Sequence, residues 1–226
     1  MPDREVVVFD VNETLLDLRG LDRPFEEVFG DAGVRREWFQ QLLQSALVST
    51  VTDAYADFGA VGRAALSMVA ERRGRTLTAA EADAVLGGMR RLPAHTDVEG
   101  ALVRLRDAGY RLATLTNSTE TVAQAQLAHA GLTPFFERIL SADAARRLKP
   151  AAEAYRFAAQ ALGVEVSRVR LVAAHAWDIA GALRAGCLAA FVARPGMVLD
   201  PLAPAPDIVG ADLGAVADQI ISRGGA

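Results

Sequence analysis

Hydrophobic and polar positions along this chain follow two different periods. Val6-Val7-Val8-Phe9 is an unbroken apolar, β-branched run between Glu5 and Asp10, the pattern of a strand buried on both faces. From about Leu18 to Arg91 the period is helical instead. Trp38, Leu42, Leu43, Ala46 and Leu47 recur at helical spacing, and so do Val61, Ala64, Ala65, Met68 and Val69. Thr78, with Glu81 three residues on, predicts a capping-box start to a third helix over Ala79 to Met89.

Beyond Thr96 the two periods alternate. Helices are expected over Val98 to Ala108, Glu120 to Ala130, Ala151 to Leu162 and Asp178 to Ala185, each closed by a glycine. Between them lie strands at Arg111 to Thr116, Arg138 to Leu140, Val169 to Ala173 and Leu188 to Val192. Asp207 to Val209 reads as an edge strand, and Leu213 to Ser222 as a closing helix. This order requires an α/β fold with a parallel sheet and helices on both faces. The first strand belongs to the same sheet. Residues 1–17 and 93–226 are therefore expected to form a Rossmann-like core, and residues 18–92 an inserted all-helical cap over the carboxyl edge of the sheet. The Pro-rich stretch from Pro195 to Pro206 reads as a surface loop.

Composition narrows the function classes. The 226 residues are 51% hydrophobic and 23% charged, enough apolar material for a sizeable core. A net charge of −4 and no basic stripe argue against nucleic acid as a partner. The single cysteine, Cys187, reads as a small buried hydrophobe and gives no sign of an oxidising compartment. No run is long and apolar enough for a membrane span, and no leader pattern precedes the first strand. These features predict a soluble, cytoplasmic protein with no membrane association.

The candidate chemistry sits where the predicted strands end. The first ends at Asp10, the second in Thr116-Asn117-Ser118, the third leads to Lys149-Pro150, and the fourth runs into His175-Ala176-Trp177-Asp178. Neighbouring strand ends converge on one crevice in a doubly wound sheet. Taken singly, each residue has a plainer reading. Asp10 and Asp178 suit helix or turn caps, Thr116 to Ser118 an N-cap, Lys149 a solvated lysine, and Trp177 the core. Taken together they place a carboxylate, a hydroxyl, an ammonium and a second carboxylate at one point. That set suits nucleophilic catalysis by Asp10, kept ionised by Lys149, with Thr116 facing an anionic part of a substrate.

These four segments, Asp10-Val11-Asn12-Glu13-Thr14-Leu15, Leu115-Thr116-Asn117, Lys149-Pro150 and the segment around Asp178, resemble the four motifs of the haloacid dehalogenase (HAD) superfamily. The helical insertion resembles its cap. Lys149-Pro150 with Tyr155, and Ala176-Trp177-Asp178 with Gly181-Ala182, are most similar to the L-2-haloacid dehalogenases. The resemblance implies that Asp10 attacks C2 of a short 2-haloacid, displaces halide, and is freed when water hydrolyses the aspartyl ester. It implies that Thr14, Thr116 and Asn117 hold the substrate carboxylate or the nucleophile. Lys149 and Asp178 would position Asp10 and the water, with Tyr155 supporting them. Asn12 and Trp177 join the substrate-facing set, and Phe39 and Phe58 are candidates for a dry pocket wall. No metal or other cofactor is required, and a homodimer is expected.

Three departures stand out. Asn12-Glu13 occupies the place of the usual Tyr-Gly. Phe39 follows Trp38 where a halide-receiving cap arginine is expected, leaving Arg35, Arg36 and Arg63 as possible substitutes. Ala173-Ala174-His175 replaces Ser-Ser-Asn. His175 is accordingly a candidate catalytic residue, toward the nucleophile, the water or a leaving halide, with a structural substitute as the plainer reading. Two rival functions follow. A Mg²⁺-dependent HAD phosphatase needs an acid two residues after the nucleophile, and Asn12 cannot exchange a proton there. A non-catalytic binding protein on the same scaffold is the other, since a fold alone does not guarantee an activity. Halide release, Mg²⁺-dependent phosphate release and neither would separate the three.

Overall fold

The computed structural model describes residues 5–224. Six parallel strands form one sheet in the order β3-β2-β1-β4-β5-β6. They are β1 (Val6–Phe9), β2 (Arg111–Thr116), β3 (Arg138–Ser141), β4 (Val169–Ala173), β5 (Leu188–Val192) and β6 (Ile208–Gly210). The chain builds outward from β1 through β2 to β3, then returns to place β4, β5 and β6 on the other side. The β1–β4 boundary is thus the topological switch point, where α/β sheets open a crevice at their carboxyl edge.

Alternation along β1 divides the core into two layers. Val7 and Phe9 pack into a cluster with Leu102 and Leu105 of α5 (Val98–Asp107) and with Val216 and Ile220 of α9 (Leu213–Gly224). Val6 and Val8 face the other way, toward Ala158 and Leu162 of α7 (Ala152–Leu162) and Ile179 and Ala182 of α8 (Ala176–Ala185). α6 (Glu120–His129) follows β2 and packs on the Val7–Phe9 side through Leu127.

Four helices stand between β1 and β2: α1 (Asp22–Phe29), α2 (Val34–Val51), α3 (Phe58–Arg72) and α4 (Ala79–Gly87). The expected capping box is present at α4, with Thr78 and Glu81 satisfying each other's backbone donors. α1 is the element that periodicity did not single out. Its eight residues carry only Phe25 and Val28 inward among charges, too short a window for a clear helical signal. Trp38 anchors α2 on α3 by donating its indole N–H to Gly62 O at 2.9 Å. The two connections to the sheet run side by side, Asp17 N–H bonding Pro93 O at 2.8 Å. Tyr55 donates to Asp143, and Arg147 pairs with Asp53, tying the helical block to the sheet side of the molecule. No helix among the described residues is long and apolar enough to cross a membrane.

Candidate active site

Sheet register brings the predicted strand ends together. Phe9 lies opposite Thr114 of β2 and Val172 of β4, so Asp10 is the first residue past the ladder. Its N–H still bonds Val172 O at 3.0 Å, which fixes the Cα while the carboxylate projects beyond the sheet. The turn that follows is braced on both sides. Thr14 Oγ1 donates to Asp10 Oδ2 at 2.7 Å and accepts the N–H of Ala174 at 3.0 Å. Arg194, itself paired with Asp97, donates to Thr14 O at 2.9 Å.

Beneath Asp10 lies a closed polar floor. The ammonium of Lys149, only 1% exposed, donates to Asp10 Oδ1 at 2.9 Å, Asp178 Oδ2 at 2.6 Å and Leu115 O at 2.9 Å. Those three bonds use all its protons. Asp178 is fully buried, and its other oxygen accepts from Tyr155 Oη at 2.5 Å. Burial works against every charge here. For Asp10 it is outweighed by the charge of Lys149 and the nearby imidazole of His175, so the carboxyl is held well below the usual carboxylate range. For Lys149 it is outweighed by Asp10 and Asp178, which together push the ammonium up. For Asp178 burial prevails, and with the charge of Asp10 it pushes that carboxyl up.

Helix α8 begins at Ala176, two residues earlier than expected. Asp178 is therefore not a cap but a first-turn residue, aimed inward at Lys149. Gly181 lies one turn further on, and a Cβ there would sit 2.6 Å from Tyr155 Oη and 2.5 Å from Pro150 Cβ. The glycine in Gly181-Ala182 is what lets the tyrosine reach Asp178.

Several residues expected to hold the substrate or the nucleophile use polar atoms in bonds to other side chains or to the backbone. Asn117 clamps the lysine loop, accepting Lys149 N–H at 2.7 Å and donating to Lys149 O at 3.2 Å. Thr116 Oγ1 accepts Ser118 N–H at 3.2 Å, which shapes the turn after β2. Asn12 bridges Ser118 Oγ at 3.2 Å and the Gln126 amide at 2.9 Å. Tyr155 is sealed below Asp178 with no exposure. None of residues 116–118 caps α6, whose N-cap position is held by Thr119.

Ser118 is the residue that sequence reasoning passed over. Its Oγ accepts from Asn12, so its own proton is left to donate. It lines a pocket of about 80 Å³ whose other walls include Trp38, Leu42, Phe58 and Met89. This places Phe58 on a dry wall beside a hydroxyl. Phe39, expected on the same wall, does not line this pocket; its ring lies 6.2 Å from the His175 ring.

The arginines offered as substitutes bring no charge to this point. Arg35 is buried and paired with Asp22 at 2.5 Å, Arg63 pairs with Asp83 at 2.6 Å, and Arg36 is exposed. The rim is occupied instead by His175. Its Nε2 lies 2.9 Å from Glu13 Oε2, and its Nδ1 lies 3.5 Å from Asp10 Oδ2. Burial disfavours the imidazolium, but Asp10 and Glu13 outweigh it and raise the pKa to about 9. Trp177 stacks on the ring at 5.3 Å and lies 5.8 Å from Lys149 Nζ. Among the described residues no group of three or more His, Cys, Asp or Glu side chains is arranged to hold a metal ion. Cys187 is buried beside Asp178, and burial pushes its thiol up to about 12.

Comparisons with known proteins agree with this architecture. The family model for haloacid dehalogenase-like hydrolases matches residues 5–186. An (S)-2-haloacid dehalogenase of Pseudomonas sp. strain YL is 29% identical over 203 residues, covering 89% of this chain and 88% of that protein. The (S)-2-haloacid dehalogenase 4A of Burkholderia cepacia is 31% identical over 197 residues, covering 84% and 83%. The L-2-haloacid dehalogenase of Xanthobacter autotrophicus, solved with chloropropionic acid covalently bound, superposes with a TM-score of 0.91. It is 28% identical, over 99% of this chain and 100% of that one.

Proposed function

The chain belongs to the haloacid dehalogenase-like hydrolases, and from that premise we propose that it hydrolyses the carbon–halogen bond of short 2-haloacids through an ester on Asp10. The observation that carries this reading is the state of Asp10: a buried carboxylate held ionised by Lys149 at 2.9 Å and oriented by Thr14 at 2.7 Å. A carboxylate so held needs no activating base. One of its oxygens attacks C2, and the carbon–halogen bond breaks with its electron pair leaving on the halide. Water then attacks Cγ of Asp10, the ester bond breaks, and a 2-hydroxy acid leaves. The Ser118 hydroxyl is the donor we assign to the substrate carboxylate. The pocket wall of Trp38 and Phe58 takes the substrate's alkyl part and excludes competing water.

The reaction as proposed uses no metal. Asp10 and Asp178 already share the charge of Lys149, and a halide leaves without needing a Lewis acid. Asn12 disfavours a phosphatase, since an amide tied to Ser118 and Gln126 holds no proton for a leaving alkoxide. The chain is also proposed to pair with a second copy over Leu47, Val48, Val51 and Met68, large apolar side chains exposed on α2 and α3.

The test is halide release from fluoro-, chloro- and bromoacetate and both 2-chloropropionate enantiomers, with and without EDTA. Release that survives EDTA is expected. Silence on all five substrates, with Mg²⁺-dependent release of phosphate from small esters, would overturn the proposal.

A further inference from the structure

The groups on the floor beneath Asp10 are buried and bonded to one another. Lys149 has given all three of its protons, to Asp10, Asp178 and Leu115 O. Asp178 is fully buried, with one oxygen on Lys149 and the other on Tyr155. Water reaching Cγ of an Asp10 ester must come from the opposite, cap-facing side. One titratable ring faces the nucleophile from that side. His175 Nδ1 is buried, makes no hydrogen bond, and points at Asp10 Oδ2 from 3.5 Å. Its second nitrogen is held by Glu13 Oε2 at 2.9 Å. The ring lies between Phe39 and Trp177, 6.2 and 5.3 Å away, so its orientation is set from both faces.

Glu13 is itself an unusual choice. It sits at φ 63°, the left-handed region that disfavours a side chain and where glycine is the default. A carboxylate is placed there against that cost, and its Oε2 meets the imidazole. Base, orienting carboxylate and reacting carbon stand in the order that proton-transfer sites use.

We propose that His175 and Glu13 form a base–carboxylate pair for hydrolysis of the Asp10 ester, with Nδ1 taking a proton from the attacking water and Glu13 holding the ring by Nε2–H. The proposal rests on the haloacid reading above. Water oxygen bonds to Cγ as one of its protons passes to Nδ1. The tetrahedral intermediate then breaks its bond to the alkyl oxygen. That oxygen takes the proton back from the imidazolium, giving the 2-hydroxy acid, and the new Asp10 carboxyl loses its remaining proton to solvent.

The charge of the ring follows that of the nucleophile. In the resting site Asp10 and Glu13 both favour the imidazolium. Alkylation neutralises Asp10 and removes one of these two anions, which weakens the hold of the ring on its Nδ1 proton and favours its loss to solvent before water is activated. The other groups around the ring are Lys149 behind Asp10, Asp178 on the same helix, and His95, whose Nε2 lies 3.3 Å from Glu13 O. The cap meets the ring through Phe39. Glu13 is thus a positioning residue and His175 the catalytic one.

The experiment separates the two half-reactions in His175→Gln and Glu13→Gln, using 2-chloropropionate, rapid quenching and intact-protein mass. His175→Gln is expected to release about one halide per site and then stall. Its Asp10 peptide should gain the mass of the alkyl group, ester hydrolysis should slow by about a hundredfold or more, and added imidazole should restore it. Glu13→Gln is expected to slow hydrolysis less and to move the rising limb of its pH profile to lower pH, since the ring loses an anion. Hydrolysis at the wild-type rate in His175→Gln would overturn the pair. So would equal loss of both half-reactions without an accumulated ester, the mark of a structural role. Absence of any halide release by the wild-type chain is a different failure, which removes the haloacid reading and the pair with it.

Discussion

The two sides of Asp10 are built in opposite ways. On the floor, Lys149, Asp178, Tyr155 and Asn117 match the family pattern and satisfy one another almost completely. On the rim, Asn12, Glu13 and His175 depart from that pattern, and buried nitrogens of His175 and Trp177 have no hydrogen-bond partner. Removing a charged member of such a buried network is costly, because it leaves its partners poorly paired in a medium that solvates them poorly. The rim keeps unpaired polar nitrogens facing Asp10 and the cap. As proposed, the floor holds the carboxylate ionised and the rim handles the proton.

That contrast is breakable. The largest effect is expected from Asp10→Asn, which removes the nucleophile while Lys149 keeps Asp178 and Leu115 O. Turnover should fall at least a thousandfold or so with the thermal transition preserved, as halide assays and calorimetry would show. Ordinary turnover in the purified variant would disprove the ester. Lys149→Ala strands two buried carboxylates and should cost about 3–5 kcal/mol of stability together with most activity. Denaturant titration checks the first and halide release the second, and a loss under about 1 kcal/mol would mean that the floor is not a closed network. Tyr155→Phe leaves Asp178 Oδ1 unsatisfied and should cost about 1–3 kcal/mol, again by denaturant titration.

A last effect, confined to one pH window, sharpens the comparison. The pKa of His175 is raised from 6.5 to about 9 in the folded chain, so its protonation stabilises the fold. That contribution is fully present below pH 6.5 and is lost as pH rises through about 9. Comparing wild type with His175→Gln by denaturant titration, the wild-type advantage in unfolding free energy should shrink over this window, by up to about 3 kcal/mol. A difference that is flat with pH would show that the rim pair is not charged as described.

Much of this was legible in the chain, for reasons that differ by residue. Asp10 closes an apolar run and Asp178 follows one within a few residues, positions that local patterning reveals, whereas Lys149 lies eight residues past its strand and stood out through the motif it resembles. Thr14 was placed near the nucleophile by the segment that Asp10 opens. Asn12 was set among the substrate-facing residues and Asn117 with the substrate carboxylate or the nucleophile, yet their polar atoms close on Ser118 and Gln126 and on Lys149, while Tyr155, given both to the substrate and to the support of Asp178, bonds Asp178. Their residue types fit either role, and only the partners decide between them. Ser118 carried no signal beyond its neighbours, and Arg194 none at all in the segment opening the Pro-rich loop.

Periodicity, capping residues and strand-end polarity are local properties. By themselves they determined the alternation of strands and helices after Thr96, the parallel sheet, the helical character of the stretch between the first two strands and the place of Asp10 at the end of the first strand. Hydrogen-bond partners far apart in sequence are set by strand register and by the path of connecting turns, which no local window contains. Lys149 meets Asp10 across 139 positions, and His175 meets Glu13 across 162. The tertiary structure alone decided that all three protons of the ammonium would be engaged, that Arg35 and Arg63 would be paired elsewhere, and that an imidazole backed by a carboxylate would face Asp10.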